Sequence, residues 1–140
     1  MKLLLDTDVV LDVLTERRPH YAASAGVLTY IERGSARGLI AAHAVTTIHY
    51  LLARHLTRSK ATDAIALLLD LLEVAAVDGK TLKRALSLAW RDFEDAVTAV
   101  AAIDAGATHV ITRNTKDFKA LPLSVLSPAA FVVAVGSKSE

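Results

Sequence analysis

Two groups of acidic residues stand where they could act together in chemistry. Asp6 and Asp8 follow the first apolar run of the chain. Asp92, Glu94 and Asp95 precede a long helical pattern. Asp92 and Asp95 are three residues apart and share one helical face, whereas Glu94 points elsewhere. Carboxylates that converge on one point repel each other, so either their pKa values rise or a cation neutralises them.

Oxygen ligands without a neighbouring Cys or His favour Mg²⁺ or Mn²⁺ over zinc. An ion of this kind binds a phosphodiester, lowers the pKa of its bound water and stabilises the departing oxygen. The chain has no cysteine, and its five histidines show no metal-binding spacing, so we expect them to be structural. The residue types therefore predict hydrolysis of phosphate esters at a site for a hard divalent metal.

Short apolar runs alternate with helical patterns, an order typical of a parallel sheet with helices on both faces. We predict one α/β domain at residues 1–135, with four to five short strands, and a frayed tail at 136–140. The predicted strands are residues 3–5, 39–42, 74–77, 109–112 and 123–126. The first predicted helix lies between the acidic turn and residues 17–19. The other predicted helices are residues 20–33, 45–56, 59–72, 81–90, 93–105 and 129–135. Ser59 is the predicted cap of the helix at 59–72.

This sheet would bring the acidic residues together. Ligands of open parallel sheets bind beyond the carboxyl ends of the strands, and Asp6 ends the first strand. A helix that precedes a strand runs antiparallel to it, so Asp92 and Asp95 would lie at the same edge. Asn114 and Asp117 follow the strand that ends at Thr112 and belong to that edge as well.

The alternative is that these acids only stabilise helix ends. Acidic residues in the first turn of a helix interact favourably with its dipole. Asp92 would then be an N-cap of the late helix, and Asp6 would cap the helix after the first strand.

Three stretches of the sequence resemble PIN-domain ribonucleases. Residues 6–12, Asp-Thr-Asp-Val-Val-Leu-Asp, resemble the opening turn of that family, where Asp-Thr-Asn is usual. Residues 92–97 and 111–118 resemble its second half, in the right order and at the right separations. PIN domains include the VapC-type toxins of bacterial toxin–antitoxin pairs. The resemblance implies a metal-dependent endoribonuclease with a parallel sheet between helices.

The resemblance also implies roles for individual residues. Asp6 matches the first metal-binding aspartate, and Asp95 matches the aspartate at the head of the late helix, with Asp92 as an auxiliary ligand. Asn114 matches a position where many members carry an acid, and Asp117 is close enough to substitute for it. Thr112 matches a hydroxyl that orients a metal-bound water or a carboxylate.

One position departs from the family pattern. The helix after the second strand usually carries a glutamate, and Thr47 stands in its place here. Threonine offers a neutral oxygen but no charge, so metal affinity should fall. The alternative function is therefore a degenerate PIN domain without nuclease activity that binds RNA or protein. A phosphatase would fit the spacing of Asp6 and Asp8, but the chain lacks the lysine-bearing motif of those enzymes.

The expected substrate contacts lie beside the metal position. We expect Arg113 to contact a phosphate of the RNA, and Thr47 to complete the substrate-binding set. Lys116 is expected to be an ordinary surface charge, and Trp90 and Phe93 to be core residues. The net charge of +1 excludes a protein that binds nucleic acid by bulk charge alone.

The apolar helix around residues 65–72 and the stripe of Ile48, Leu51 and Leu52 exceed what we expect one small core to cover. A homodimer contact is the predicted use of this surface. The alternative is a groove for a helix of an antitoxin protein. No apolar run approaches the roughly 20 residues of a membrane span, so we predict a cytoplasmic protein without membrane contact.

Overall fold

Five short apolar runs form the strands of one parallel sheet. In a computed structural model, which describes residues 1–118 and 120–138 (side chains as far as 136), they are β1 (Lys2–Leu5), β2 (Arg37–Ala41), β3 (Glu73–Ala75), β4 (His109–Ile111) and β5 (Ser124–Leu126). Leu3, Leu4 and Leu5 are at most 1% exposed because helices cover both faces of the sheet. The predicted α/β architecture is confirmed, with five strands.

Helices connect these strands throughout the described part of the chain. They are α1 (Thr7–Leu14), α2 (Tyr21–Glu32), α3 (Ala42–His55), α4 (Arg58–Leu71), α5 (Gly79–Ser87), α6 (Phe93–Asp104), a 3-10 turn (Thr115–Asp117) and α7 (Pro128–Lys138). The last helix begins at Pro128 and includes residues 136–138, which the sequence analysis had assigned to the tail. Residues 139 and 140 lie outside the described residues.

Several helix starts differ from the prediction. α3 begins at Ala42 rather than at residue 45, so Ala42 belongs to this helix and not to the predicted strand 39–42. Thr57, not Ser59, caps α4, because the Thr57 hydroxyl accepts a hydrogen bond from the Lys60 amide at 3.1 Å. α5 begins at Gly79 rather than residue 81, because the Asp78 carboxylate accepts a hydrogen bond from the Thr81 amide and the Thr81 hydroxyl contacts the Asp78 backbone in return.

The strand order across the sheet is β3-β2-β1-β4-β5, and all neighbouring pairs are parallel. The chain first moves outward from β1 to β2 and β3, then crosses back to β4 and continues to β5. Because such crossovers are right-handed, the two sets of connecting helices cover opposite faces. The direction of travel reverses between β1 and β4, so this pair forms the switch point of the sheet.

Small side chains hold α6 tightly against β2, β3 and β4. The buried residues of this helix are Ala96, Val97, Thr98, Ala99, Val100, Ala101 and Ala102. This close packing fixes the start of α6 relative to the ends of the strands.

Part of the apolar surface that the sequence assigned to a partner lies inside this core. Ile48 and Leu52 of α3 are fully buried, and Leu68 and Leu72 are less than 5% exposed. Within the described part of the chain, no helix is long and apolar enough to cross a bilayer.

Candidate active site

Asp6 and Thr112 meet at the switch point between β1 and β4. The chain leaves these two strands in opposite directions, which opens a crevice at their carboxyl ends. The Asp6 amide donates to the Ile111 carbonyl at 3.0 Å, continuing the ladder between the strands. The Thr112 hydroxyl donates to Oδ2 of Asp6 at 2.8 Å. Side chains that are far apart in the sequence are thus in direct contact at the predicted edge.

The Thr112 hydroxyl also organises the loop that follows β4. It accepts a hydrogen bond from the Asn114 amide at 3.0 Å, and its side chain is fully buried. Asn114 and Asp117 therefore leave the sheet at the same edge, and both residues are exposed. The other oxygen of Asp6, Oδ1, accepts from the Thr7 amide at 2.9 Å, so Asp6 is the N-cap of α1 as well.

Asp92 and Asp95 occupy the first turn of α6. Oδ1 of Asp92 accepts a hydrogen bond from the Asp95 amide at 3.0 Å, which makes Asp92 the N-cap of the helix. Asp92 is exposed, whereas Asp95 is partly buried. The capping explanation therefore holds for one oxygen of Asp92, but it does not account for Asp95.

Burial and the neighbouring acidic charges raise the pKa of Asp95 to about 7. Burial is the largest cause, and repulsion from Asp6, Asp92, Asp117 and Glu94 follows in that order. These interactions bring residues from the first strand, the late helix and the 3-10 turn into one electrostatic cluster. Glu94 belongs to this cluster, although the sequence analysis had placed it on another face.

The pKa of Asp6 is also raised, chiefly by burial, since only 7% of the residue is exposed. The hydrogen bonds from Thr112 and Thr7 act in the opposite direction, because they stabilise the carboxylate. Repulsion from Asp8 and Glu94 adds to the effect of burial. Ionising both Asp6 and Asp95 is therefore unfavourable unless a cation is bound beside them.

The donor set fits a hydrated hard cation better than a cage of protein ligands. Among the residues that the structure describes, no three or more His, Cys, Asp or Glu side chains are grouped closely enough to hold a metal ion. The predicted ligands Asp6, Asp95 and Asp92 do not form such a set. Mg²⁺ keeps several waters and binds through one or two carboxylates, and Asp6 and Asp95 are the side chains at this edge that could provide them.

Arg113 is held by a carboxylate that the sequence analysis did not single out. Nε of Arg113 lies 2.9 Å from Oδ2 of Asp12, and the Asp12 side chain is fully buried. Asp12 also lies 3.7 Å from Arg17 and accepts a hydrogen bond from Ser24 at 3.4 Å. Arg113 is therefore paired with a carboxylate in this structure, and its contact with a phosphate of the RNA stays a prediction. A lone acid on the otherwise apolar inner side of α1 was the signal for this ion pair.

The family profile described as "PIN domain" matches residues 2–116, which is most of the chain. The chain belongs to the PIN domain family.

This PIN domain is similar to Ribonuclease VapC1 of Aquifex aeolicus (strain VF5), with 24% identity over 135 residues, 93% of this chain and 92% of the relative. The toxin-antitoxin complex from Klebsiella pneumoniae contains a chain that matches with a TM-score of 0.68 and 20% identity, over 90% of this chain and 97% of that one. Mycobacterium tuberculosis VapC20, described as a sarcin-ricin loop cleaving toxin, matches with a TM-score of 0.63 and 15% identity, over 77% and 86%. At these identities the solved structures show a common fold.

Thr47, which the sequence resemblance places at the glutamate position of PIN domains, lies in the middle of α3. Its hydroxyl donates to the His43 carbonyl at 3.3 Å, so this hydrogen bond stays within the helix. The side chain brings no charge to the acidic cluster.

His43 is a residue at this edge whose position the sequence analysis overlooked. It is the second residue of α3, just after β2. Its Nε2 lies 3.3 Å from the Thr98 hydroxyl, and Glu94 is close enough to act on its pKa in the upward direction. Burial is the larger effect, and the net result is a pKa below the ordinary histidine value. Its position directly after the predicted strand 39–42 was the available signal in the sequence.

Trp90 and Phe93, both expected in the core, have different environments in the structure. Trp90 is partly buried and packs edge-to-face on Phe118, with ring centroids 5.8 Å apart. Phe93, the first residue of α6, is 44% exposed, so the expectation that it is a core residue is wrong. Its neighbours along the chain, Arg91 and Asp92, are exposed as well.

Proposed function

We propose that this PIN domain is a divalent-metal-dependent endoribonuclease that acts as the toxin of a type II toxin–antitoxin pair. The observation that carries the proposal is the pairing of Asp6 with Thr112 at the switch point, in one charge cluster with Asp95. The names of the relatives support it, because one is called a ribonuclease and another a sarcin-ricin loop cleaving toxin.

Asp6 and Asp95 would hold Mg²⁺ or Mn²⁺ directly, and Asp92, Asn114 and Asp117 would contact it through water. When bound, the ion supplies an activated water and stabilises the departing oxygen of the phosphodiester. Thr112 holds the Asp6 carboxylate in one orientation through its hydrogen bond. In this scheme water would attack the phosphodiester directly, and no covalent intermediate with the protein would form.

Incubation of the purified protein with single-stranded and structured RNA tests the proposal. We expect cleavage with Mg²⁺ or Mn²⁺, loss of cleavage with a chelator, and loss of cleavage in Asp6→Asn. Asp70→Asn, which neutralises an exposed acid on α4, is the matched control and should cleave like wild type. Cleavage that persists in chelator, or no cleavage of any RNA with either metal, contradicts the proposal.

The second candidate is a degenerate PIN domain that binds RNA or protein without cleaving. Two observations favour it: Thr47 contributes no charge, and the described residues contain no set of three or more grouped ligands for a metal. Calorimetric titration with Mn²⁺ separates the candidates. A dead domain shows no binding heat, and Thr47→Glu should then create or strengthen the response.

We further propose a protein antitoxin as partner, a homodimer as the assembly and the cytoplasm as the place of action. The antitoxin is supported by the similarity to a chain of the Klebsiella pneumoniae toxin-antitoxin complex. A short reading frame directly upstream of the gene, whose product co-purifies with this chain and inhibits cleavage, is the expected finding. Absence of any inhibitory neighbour would restrict the proposal to the nuclease.

A further inference from the structure

Asp12 is a fully buried carboxylate that no step of the proposed hydrolysis uses. It lies on α1, the helix that Asp6 caps. The Ser24 hydroxyl of α2 donates a hydrogen bond to its Oδ2 at 3.4 Å, and Arg17 lies 3.7 Å from its Oδ1. Burying a carboxylate costs free energy unless cations and hydrogen-bond donors compensate for the lost water. A charge at this position therefore calls for a physical reason.

Arg113 joins this carboxylate to the loop after β4. Nε of Arg113 lies 2.9 Å from Oδ2 of Asp12, and Nη2 donates a hydrogen bond to Oδ1 at 3.3 Å. The carboxylate itself is held in place, because it is buried where α1 packs against α2. A planar guanidinium that faces both oxygens of a fixed carboxylate has a fixed orientation. Asp12 thus anchors the side chain of Arg113.

Arg113 stands between the two residues that organise the loop at the acidic cluster. Thr112, before it, donates to Oδ2 of Asp6 at 2.8 Å, and the amide of Asn114, after it, donates to the Thr112 hydroxyl at 3.0 Å. The loop is therefore attached to α1 at two points, at the cap through Thr112 and inside the helix through Arg113. A single hydrogen bond allows the loop to turn about it. Two attachments to one rigid helix fix the direction of the Thr112 hydroxyl.

We propose that Asp12 is a positioning residue of the acidic cluster, which acts through Arg113 and Thr112 on the orientation of the Asp6 carboxylate. The inference rests on the proposed nuclease function and adds to it a residue remote from the reacting atoms. A group that acts in this way changes metal affinity and the rate of the chemical step, while it leaves the binding of RNA nearly unchanged.

Calorimetry with Mn²⁺ and steady-state cleavage at saturating Mn²⁺ test this role. Asp12→Asn keeps the size of the side chain and removes its charge. We expect Mn²⁺ affinity and kcat each to fall about tenfold or more, with KM within about twofold of wild type. Leu68→Ala is the control for lost stability, because Leu68 is 4% exposed in the core on α4 and its truncation leaves a cavity there. At a temperature where circular dichroism shows all proteins folded, this control should bind Mn²⁺ like wild type.

A double variant shows whether Asp12 acts through the Thr112 hydroxyl. Thr112→Val has already lost the hydrogen bond to Asp6. Adding Asp12→Asn to it should therefore change Mn²⁺ affinity by less than about twofold, since residues that act in one chain are not additive. Additive losses of affinity in the double variant, or an equal loss in Leu68→Ala, overturn the inference.

Amide hydrogen exchange in chelator tests the same anchor without metal or RNA. The Asn114 amide reports on the loop, because its acceptor is the Thr112 hydroxyl. Relative to the amides of β1, which report on unfolding of the whole domain, it should exchange about tenfold faster or more in Asp12→Asn. Leu68→Ala should leave this ratio unchanged. Arg113→Gln probes the contact from the loop and should give the same faster exchange, so the result does not depend on the folding of one variant.

Failure of this inference can be told apart from failure of the proposed function. Suppose that wild-type protein cleaves RNA with Mn²⁺, while Asp12→Asn keeps wild-type Mn²⁺ affinity and wild-type exchange at Asn114. This result rejects only the positioning role. Protein that cleaves no RNA, but whose Asn114 amide exchanges faster in Asp12→Asn, rejects the nuclease and supports the anchor of the loop.

Discussion

Asp6 shows why the capping and the catalytic explanations of an acidic residue need not exclude each other. One oxygen caps α1 through the Thr7 amide, and the other accepts the Thr112 hydroxyl. A carboxylate has about four lone-pair positions, so two remain for a cation. The hydrogen bonds that stabilise the fold also hold the carboxylate in the orientation that a metal site needs.

Asp95 should make the metal-free protein less stable as the pH rises. Its pKa is about 7 in the folded chain and near 3.8 in the unfolded chain, so the folded state holds more protons between these values. The free energy of unfolding therefore falls from about pH 4 to pH 7. Asp95→Asn removes this loss, so the variant should be more stable than wild type at pH 8 by about 1 kcal/mol. The expected gain is this small because Asp95 is partly exposed and solvent screens its interactions.

Urea unfolding in chelator at pH 5 and pH 8 measures this effect. Asp70→Asn controls for the change in net charge, because Asp70 is exposed on α4. Equal stability of wild type and Asp95→Asn at pH 8 contradicts the prediction.

Thr112→Val should impair the metal site while keeping the shape of the side chain. The substitution leaves Asp6 without its buried hydrogen-bond donor, so the carboxylate is less stable and binds a cation more weakly. We expect Mn²⁺ affinity and RNA cleavage to fall about tenfold or more. Thr112→Ser keeps the hydroxyl and should retain both properties. Calorimetry and cleavage rates measure the outcome, and wild-type Mn²⁺ affinity in the valine variant speaks against the role.

The sequence predicts the placement of Asp6, Thr112 and Asp95 because the edge of a parallel sheet follows from strand order and helix direction. It does not predict the partner of Arg113, because which side of α1 carries a buried acid depends on the packing of α1 against α2. The prediction that Phe93 lies in the core is wrong for a related reason. An aromatic residue is expected in the core by composition, and only the structure shows that the first turn of α6 projects beyond it.

At the scale of the elements, α4 depends on a threonine cap. Thr57→Ala removes the acceptor for the Lys60 amide and should destabilise the protein by about 1 kcal/mol. Ser59→Ala alters an exposed position inside the same helix and should stay within about 0.5 kcal/mol of wild type. Thermal and urea unfolding compare the two variants. If Ser59→Ala loses more stability than Thr57→Ala, Ser59 is the cap of α4, as the sequence pattern predicted.

The ion pair of Asp12 with Arg113 joins α1 to the loop after β4. Arg113→Met leaves a fully buried carboxylate with Arg17 at 3.7 Å as its nearest cation, and we expect a loss of about 3 kcal/mol. Arg84→Met breaks a surface pair with Asp104 and should lose less than about 1 kcal/mol. In a double-mutant cycle, Asp12→Asn combined with Arg113→Met should lose less than the sum of the single changes. Additive losses would show that the two groups do not interact.

Element order and type follow from the sequence, while element ends depend on particular hydrogen bonds. The sequence predicts that Asp78 and Gly79 end the strand at 74–77, because both residues are common in turns. In the structure the Asp78 carboxylate caps α5 through the Thr81 amide at 3.0 Å. A turn signal and a helix-start signal share the same residue types, so the sequence alone did not separate them.

At the scale of the whole molecule, the apolar surface is smaller than the sequence suggests but still present. Ile48 and Leu52 are buried, so the inner stripe of α3 belongs to the core. On α4, Leu67 is 71% exposed and Leu69 is 43% exposed. The two helices pack against each other, and these exposed leucines of α4 are apolar surface that the described residues leave uncovered.

A homodimer through the outer side of α4 is the prediction for this surface. In a symmetric dimer the same patch faces its copy, so one substitution acts on both sides of the contact. Leu67→Glu should place two like charges in an apolar interface and convert a dimer into a monomer in sedimentation velocity at high protein concentration. Leu86→Glu adds the same charge at a residue that is 66% exposed on α5 and should leave the dimer intact. Circular dichroism checks that both variants fold. A wild-type protein that is monomeric at every concentration contradicts the prediction, and so does a Leu67→Glu protein that still dimerises. In either case the exposed leucines of α4 are not the contact between two copies of this chain.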